Sequence, residues 1–326
     1  MDAPRISSLL GSDLPTGRVV VYRPRAGADL SIFGDATVEV IQSFKPDHDA
    51  FAAMGLTTRL AAEGEYDLAV VCVPRSKIEA RGLIADAAAR ARRVIVDGQK
   101  TDGIDSLLRD IKKHGAEAVS VSKSHGKAIS FTGGDFADWT NPGPMHVVDG
   151  FTTRAGVFSA ERVDAASRLL VENLPDKLPA VVADLGAGWG YLSRHILSRD
   201  GVARLHVVEA EHNALLCARE NVADPRATFH WADATTVKLP EIVDAVVMNP
   251  PFHTTREGDP GLGQAFIGSA ARLLSPRGTL WLVANRHLPY EATLGAHFAD
   301  VTEVTGVAGF KVLRAAKPLR RGGRNA

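Results

Sequence analysis

Val243-Asp244-Ala245-Val246-Val247-Met248-Asn249-Pro250-Pro251-Phe252-His253 reads as a short apolar strand that stops abruptly at Asn-Pro-Pro-Phe. Valine-rich runs favour a strand buried in a parallel sheet. The two prolines cannot donate ladder hydrogen bonds, so the strand ends there. Asn249 is thereby expected at the carboxyl end of a strand, where open α/β sheets place their ligand crevices. An amide at Asn249, a rigid carbonyl at Pro250 and an aromatic ring at Phe252 suit the capture of a planar amino group.

Upstream, Val181-Val182-Ala183-Asp184-Leu185-Gly186-Ala187-Gly188-Trp189-Gly190-Tyr191-Leu192 reads as a strand, a glycine loop and a helix. The glycines allow positive φ and let a ligand sit against the backbone. Dinucleotide sites use a related loop, but with Gly-x-Gly-x-x-Gly spacing and usually an apolar residue where Asp184 stands. A carboxylate there is expected to sit near a cationic ligand or to order the loop through backbone N–H groups. The next strand, Leu205 to Glu209, ends in an acid that can accept both ribose hydroxyls of an adenosine; an exposed strand-end Glu is the plain alternative. Ala227 to Trp231 is a third strand, followed by Ala232-Asp233-Ala234, whose carboxylate can accept from an adenine amino group. Successive strand ends thus carry Asp184, Glu209, Asp233 and Asn249. Ser159 is the expected N-cap of a helix from Ala160 to Asn173, with Glu161 and Asp164 in its first turn. Gly263 to Leu274 and a segment opened by Pro289-Tyr290 are further helices. Thr279 to Ala284 is a strand, and Val301 to Thr305 with Phe310 to Ala315 form a terminal antiparallel hairpin.

The first half shows the same order of elements. Strands are expected at Arg18 to Tyr22, Thr37 to Phe44, Tyr66 to Val73 and Arg93 to Val96, and helices at Ile78 to Arg90 and Asp105 to His114. Ala118 to Val121 and Lys127 to Thr132 read as a hairpin around Ser124-His125-Gly126. Met1 to Thr16 carries no clear signal. The loop Arg23-Pro24-Arg25-Ala26-Gly27-Ala28-Asp29 has one glycine where a nucleotide loop needs several. The halves read as diverged copies of which the first has lost its cofactor loop; the alternative is that any two α/β domains look alike at this level. Asp138 to Pro144 is dense in turn formers and is the expected linker. Met145 to Phe151 and Thr152 to Phe158 are a candidate lead-in hairpin.

The chain has 326 residues, 45% hydrophobic and 23% charged, with formal net charge +0. That suits two globular cores and argues against an indiscriminate polyanion binder, while a local basic patch can still meet nucleic acid. Arg23, Arg25 and Lys100 are candidate phosphate contacts or ordinary surface charges. The basic tail from Lys317 to Arg324 is expected to be disordered, touching phosphate or merely solvated. Cys72 and Cys217 lie in apolar patterns and read as reduced core thiols. With no apolar run long enough to span a membrane and no signal-peptide pattern, the expectation is a cytoplasmic protein.

Asp184-Leu185-Gly186-Ala187-Gly188-Trp189-Gly190 resembles the first motif of the class I S-adenosylmethionine-dependent methyltransferases, and Asn249-Pro250-Pro251-Phe252 resembles the motif of enzymes that methylate exocyclic or amide nitrogen. A closer resemblance is to the small-subunit ribosomal RNA guanine-N2 methyltransferases. It is carried by Gly156-Val157-Phe158-Ser159, Asn249 to His253, Val283-Ala284-Asn285 with Leu288-Pro289-Tyr290, and Phe310-Lys311-Val312. The resemblance is specific over residues 150–316 and architectural before that.

It implies an α/β chain of two tandem Rossmann-like methyltransferase domains. The first, 1–141, is degenerate and serves RNA docking or structure. The second, 142–326, is catalytic, with a seven-stranded sheet ending in an antiparallel hairpin. The implied cofactor is S-adenosylmethionine, held by Phe158, Asp164, Asp184, Gly186, Ala187, Gly188, Gly190, Glu209, Ala210, Asp233, Ala234 and Asn249. Asn249, Pro250 and Phe252 would act on the base, with Phe252 stacking on it; His253 is a base or, more simply, a contact. The implied partner is ribosomal RNA or the small subunit, with no metal and no membrane, and a monomer is favoured. Trp189 departs from the small residue usual in the family and is expected to narrow the cleft. A protein glutamine N5-methyltransferase uses a similar loop, and a DNA amino-methyltransferase is a weaker rival. A catalytically silent RNA-binding assembly factor is the alternative of a different class.

Overall fold

The computed structural model describes residues 1–141, 143–147, 150–251 and 260–320. The chain divides into two compact units, Met1–Pro144 and Met145–Ala326. In the first, α1 (Ala3–Leu10) precedes β1 (Arg18–Tyr22), β2 (Thr37–Ile41), α2 (Lys45–Ala53), β3 (Thr57–Arg59), β4 (Tyr66–Cys72), α3 (Lys77–Arg90), β5 (Ala91–Gln99), α4 (Ile104–Lys113), β6 (Glu117–Lys123) and β7 (Gly126–Thr132). In the second, β8 (Met145–Val147) and β9 (Phe151–Thr153) precede α5 (Ala165–Asn173), β10 (Val181–Leu185), α6 (Tyr191–Leu197), β11 (Arg204–Glu209), α7 (His212–Asn221), β12 (Ala227–Trp231), β13 (Val243–Met248), α8 (Pro260–Leu273), β14 (Leu274–Asn285), α9 (Tyr290–His297), β15 (Phe298–Val307) and β16 (Phe310–Pro318).

Each unit builds one seven-stranded sheet, ordered β3-β2-β1-β4-β5-β7-β6 in the first and β12-β11-β10-β13-β14-β16-β15 in the second. The orders are the same strand for strand, and β7 and β16 run antiparallel to their neighbours. The chain is therefore two α/β sheets of one topology, as the order of elements in the sequence implied. In the second unit Val182 packs with Leu170, Ile196 and Cys217 on one face, under α5, α6 and α7. Ala183 and Leu185 pack with Ile267, Ala270 and Leu280 on the other, under α8 and α9. Val246 and Val247 face opposite sides and both are 0% exposed. Burial of each is worth about 1.5–3 kcal/mol, which is why the valine run forms a central strand.

Several expectations shift. Met1 to Thr16 holds α1, capped by the Asp2 side chain with Pro4 in the first turn; both signals were local. Its Arg5, 1% exposed, pairs with Asp97 at 2.7 Å. β2 ends at Ile41 rather than Phe44, because the Gln42 side chain takes the Phe44 N–H at 3.0 Å. β3 had not been anticipated. The lead-in hairpin pairs Met145–Val147 with Phe151–Thr153 and so turns earlier than expected. The helix expected from Ala160 begins at Ala165, because Asp164, not Ser159, is its N-cap. Ser159 lies at φ +52°, not in the extended backbone from which a Ser side chain caps a helix. Lys317 and Pro318 belong to β16, and Arg320 donates to the Leu274 carbonyl at 2.7 Å, so the ordered chain runs further than the basic composition suggested. The rest of the tail, residues 321–326, lies outside the described residues.

Candidate active site

Four adjacent parallel strands, β12, β11, β10 and β13, end at one edge of the second sheet. Between that edge and the start of α5 lies a cleft. Phe158, Asp164, Gly186, Ala187, Gly188 and Asn249 line it, together with Ser159, Ser167, Trp189, Tyr191 and Leu192. Sequence reasoning named Phe158 and expected Trp189 to narrow the cleft, and missed Ser167 and Tyr191. Asp164-x-x-Ser167 at a helix start, and an aromatic residue directly after the last glycine of the loop, were the available signals.

The glycine loop is fastened to β11. Gly186 and Ala187 donate their N–H groups to the Val208 carbonyl at 2.9 and 3.0 Å. Gly188 donates to Glu209 Oε2, and Glu211 donates to Glu209 Oε1, both at 2.7 Å. Glu209, rather than Asp184, thus orders the loop through backbone N–H groups. Asp184 sits one pair inside β10, opposite Val207 and Val247, and is 0% exposed. Its Oδ2 accepts from the Ser193 hydroxyl at 2.6 Å. Oδ1 is buried without a partner among the described residues. Burial, with the Glu209 charge adding, pushes its pKa up to about 7. Burial also raises Glu209, against the hydrogen bonds from Glu211 and Gly188 that lower it.

The glycines have different tasks. Gly188, at φ +57°, would have no atom within 4 Å of an added Cβ, so its open side faces free space. A Cβ on Gly190 would stand 3.0 Å from Val222 and 3.1 Å from the Ala218 backbone. Gly190 therefore lets α7 pack close, and it is not on the cleft wall. Ala234 is 3% exposed in the core under α8. The Ala210 carbonyl accepts from the Trp231 indole at 2.8 Å. Asp233 lies just past β12, with Oδ1 accepting from Thr235 N–H at 2.8 Å and its hydroxyl at 2.7 Å.

Asn249 follows β13 directly. Its Nδ2 donates to Asp164 Oδ2 and to Ser167 Oγ, each at 2.9 Å. Pro250 is buried beside it. Phe252 and His253 lie outside the described residues. Trp189 is 4% exposed; its ring packs edge-on to Phe151 at 5.0 Å and its indole N–H donates to the Phe158 carbonyl at 3.0 Å. The Asn221 side chain donates to both the Trp189 and Thr152 carbonyls, at 2.7 and 2.8 Å. Trp189 therefore ties the glycine loop to the segment bearing Phe158, whose side chain is 60% exposed at the cleft rim.

Several known proteins are similar to this chain. A Hahella chejuensis protein described as a ribosomal RNA small subunit methyltransferase C is 29% identical over 328 residues, covering 93% of this chain and 95% of that one. A Streptomyces griseus ribosomal RNA large subunit methyltransferase G is 35% identical over 184 residues, 54% of this chain and 48% of its own. A solved T. Thermophilus 16S rRNA N2 G1207 methyltransferase, in complex with AdoMet and guanosine, matches with TM-score 0.78 and 26% identity over 93% of this chain and 89% of that one. The family model for the methyltransferase small domain matches residues 149–314, just over half of the chain, and this protein belongs to that family.

Proposed function

We propose that this protein transfers a methyl group from S-adenosylmethionine to the exocyclic N2 amino group of a guanine in ribosomal RNA. The observation that carries the reading is Asn249: its amide nitrogen is fully engaged at the edge of the cleft, which leaves Oδ1 as the group able to meet a substrate. The full-length likeness to a small-subunit rRNA methyltransferase and to a structure holding AdoMet and guanosine supports the same conclusion.

The residues present fit the cofactor. Gly188 leaves open the space a side chain would fill, and Asp184 Oδ1 is a buried acceptor suited to an ammonium group. When bound, S-adenosylmethionine supplies an electrophilic methyl group on a sulfonium. Glu209 would hold the ribose: a carboxylate offers about four acceptor sites, which leaves capacity beside the N–H groups of Gly188, Ala210 and Glu211. Asp233 would accept from the adenine amino group with Oδ2. Phe158 would cover the cleft. The guanine amino group is conjugated with its ring and is a poor nucleophile. Asn249 Oδ1 and the Pro250 carbonyl would each accept one of its N–H bonds, drawing nitrogen toward tetrahedral geometry and aiming its lone pair. Positioning of this kind supplies most of the rate enhancement, and the proton leaves after transfer without a strong base. Phe252 is assigned to stack on the base, a contact worth ~1–3 kcal/mol. A base within RNA structure must first be flipped out.

Of the candidate phosphate contacts in the first unit, Arg23 is excluded: its guanidinium is engaged with Gln42, Ser43 and Glu79. Arg25 is 66% exposed, with Asp47 at 3.5 Å, and Lys100 is exposed. We assign these two to RNA docking. A monomer acting in the cytoplasm suits this reading, and among the described residues no helix is long and apolar enough to cross a membrane. The deciding experiment is transfer of label from the cofactor to naked rRNA, small subunits, large subunits and release factor. Label is expected on guanine N2 of small-subunit RNA, and Asn249→Ala should lose transfer by ~10²–10³-fold. Label on release-factor glutamine would make it a protein methyltransferase, and no label anywhere would leave an assembly factor.

A further inference from the structure

We infer that Asp164 is a positioning residue that sets which end of the Asn249 carboxamide faces the substrate, with Ser167 as its assistant. The inference rests on the catalytic reading of Asn249 and assigns a cause to its orientation. Both protons of Asn249 Nδ2 are spent, on Asp164 Oδ2 and Ser167 Oγ at 2.9 Å each. An ionised carboxylate can only accept, whereas a hydroxyl both donates and accepts. If the amide turned over, Asn249 Oδ1 would stand against Asp164 Oδ2, two acceptors at hydrogen-bond distance. Ser167 tolerates either orientation; Asp164 tolerates one. Asp164 is itself immobilised, because the same Oδ2 takes the Ser167 backbone N–H at 2.8 Å as the N-cap of α5. The start of α5 and the end of β13 thus form one device, and the amide oxygen is presented to the cleft before any substrate arrives.

The test separates the two tasks of Asp164. Asp164→Ser keeps the cap, since Ser and Asp rank together there, but its shorter side chain withdraws the acceptor from Asn249 Nδ2 and frees the amide to turn over. It should lower kcat by ~10–100-fold on small-subunit RNA while the melting temperature holds. Asp164→Asn, whose oxygen the cap keeps on the Ser167 N–H, still offers Asn249 Nδ2 an acceptor and should stay within ~3-fold of the wild-type kcat. Asn249→Asp sets two carboxylates face to face and should cost at least ~10²-fold in kcat. A residue that only caps α5 loses nothing in Asp164→Ser, and one that only offers its charge to the cofactor is not rescued by Asn. Wild-type kcat in Asp164→Ser, or a loss in Asp164→Asn as large as in Asp164→Ser, overturns the inference. Full activity in Asn249→Ala would instead remove the catalytic reading beneath it.

Discussion

Matched by register, the two sheets differ in what stands at the same strand ends. Tyr22 pairs with Ile41 and Val71, as Leu185 pairs with Val208 and Met248. Arg23 therefore corresponds to Gly186, Gln42 to Glu209, Cys72 to Asn249 and Val21 to Asp184. The backbone is retained: Arg23 has φ +58° and donates to the Ile41 carbonyl at 2.8 Å, while Gly186 has φ +74° and donates to Val208 at 2.9 Å. The tie between strand end and loop is retained as well, with its polarity reversed. Gln42 Nε2 donates to the Pro24 carbonyl at 2.7 Å, where Glu209 accepts from the Gly188 N–H. Chemistry is where the two units differ. The first has no acid at these ends, its Cys72 thiol is pushed by burial up to about 11, and the Arg23 guanidinium is engaged with Gln42, Ser43 and Glu79. One topology can keep its hydrogen-bond skeleton while giving up the site, because backbone closure and ligand chemistry reside in different atoms.

Moving residues of the first unit into the second, and the reverse, probes this comparison. The largest effect is expected at Asp184. Its folded pKa of about 7 lies above the ordinary value of 3.8, so the folded state holds a proton that the unfolded chain has released. Stability from this carboxyl is present below the ordinary value and is lost as pH rises toward 7. Asp184→Asn should remove that loss, gaining on the wild type by up to roughly 4 kcal/mol between pH 4 and 8. Denaturant titrations at four pH values check it, and parallel curves for the two proteins would contradict it. Glu209→Gln gives the second unit the strand end of the first and sets an amide N–H against the Gly188 N–H or loses a charged acceptor. Cofactor affinity by calorimetry should fall by ~10–100-fold, the worth of hydrogen bonds to a charged group. Trp189→Phe keeps the packing on Phe151 but removes the donor to Phe158; a ~2–10-fold weaker affinity is expected, with kcat held at saturation. The smallest change is expected from Arg23→Gly. It restores a glycine but no acid, so binding stoichiometry should stay at one cofactor per chain. A second equivalent would mean that Arg23 alone had silenced the first unit.

The strand ends of the second unit were legible because their signals are local. Valine runs, prolines that stop a strand and glycines at loop spacing each depend on a few neighbouring residues, and the same topology in both halves followed from their order. The hairpin at Ser124-His125 was legible for the same reason: both residues take positive φ, as a two-residue turn requires. Less visible was α5, where Ser159 and Asp164 compete as caps and local preference ranks them alike. The burial of Asp184 was not legible, since a motif shows that an acid is present but not whether the chain surrounds it. Nor was the close approach of α7 to Gly190, because Ala218 and Val222 stand far from it along the chain.

By itself the sequence determined the α/β class, the two units, most of their strands and the methyl-transfer motif, since alternation, breakers and caps act over one turn or one strand. Only the tertiary structure decided how the strands are ordered in each sheet, that Asp164 meets Asn249 across 85 positions, that Glu209 fastens the loop while Asp184 lies beneath it, and that Arg23 is held by Gln42 and Glu79. Those outcomes depend on which strands become neighbours and which side chains the sheet then buries together, and no window along the chain contains both partners.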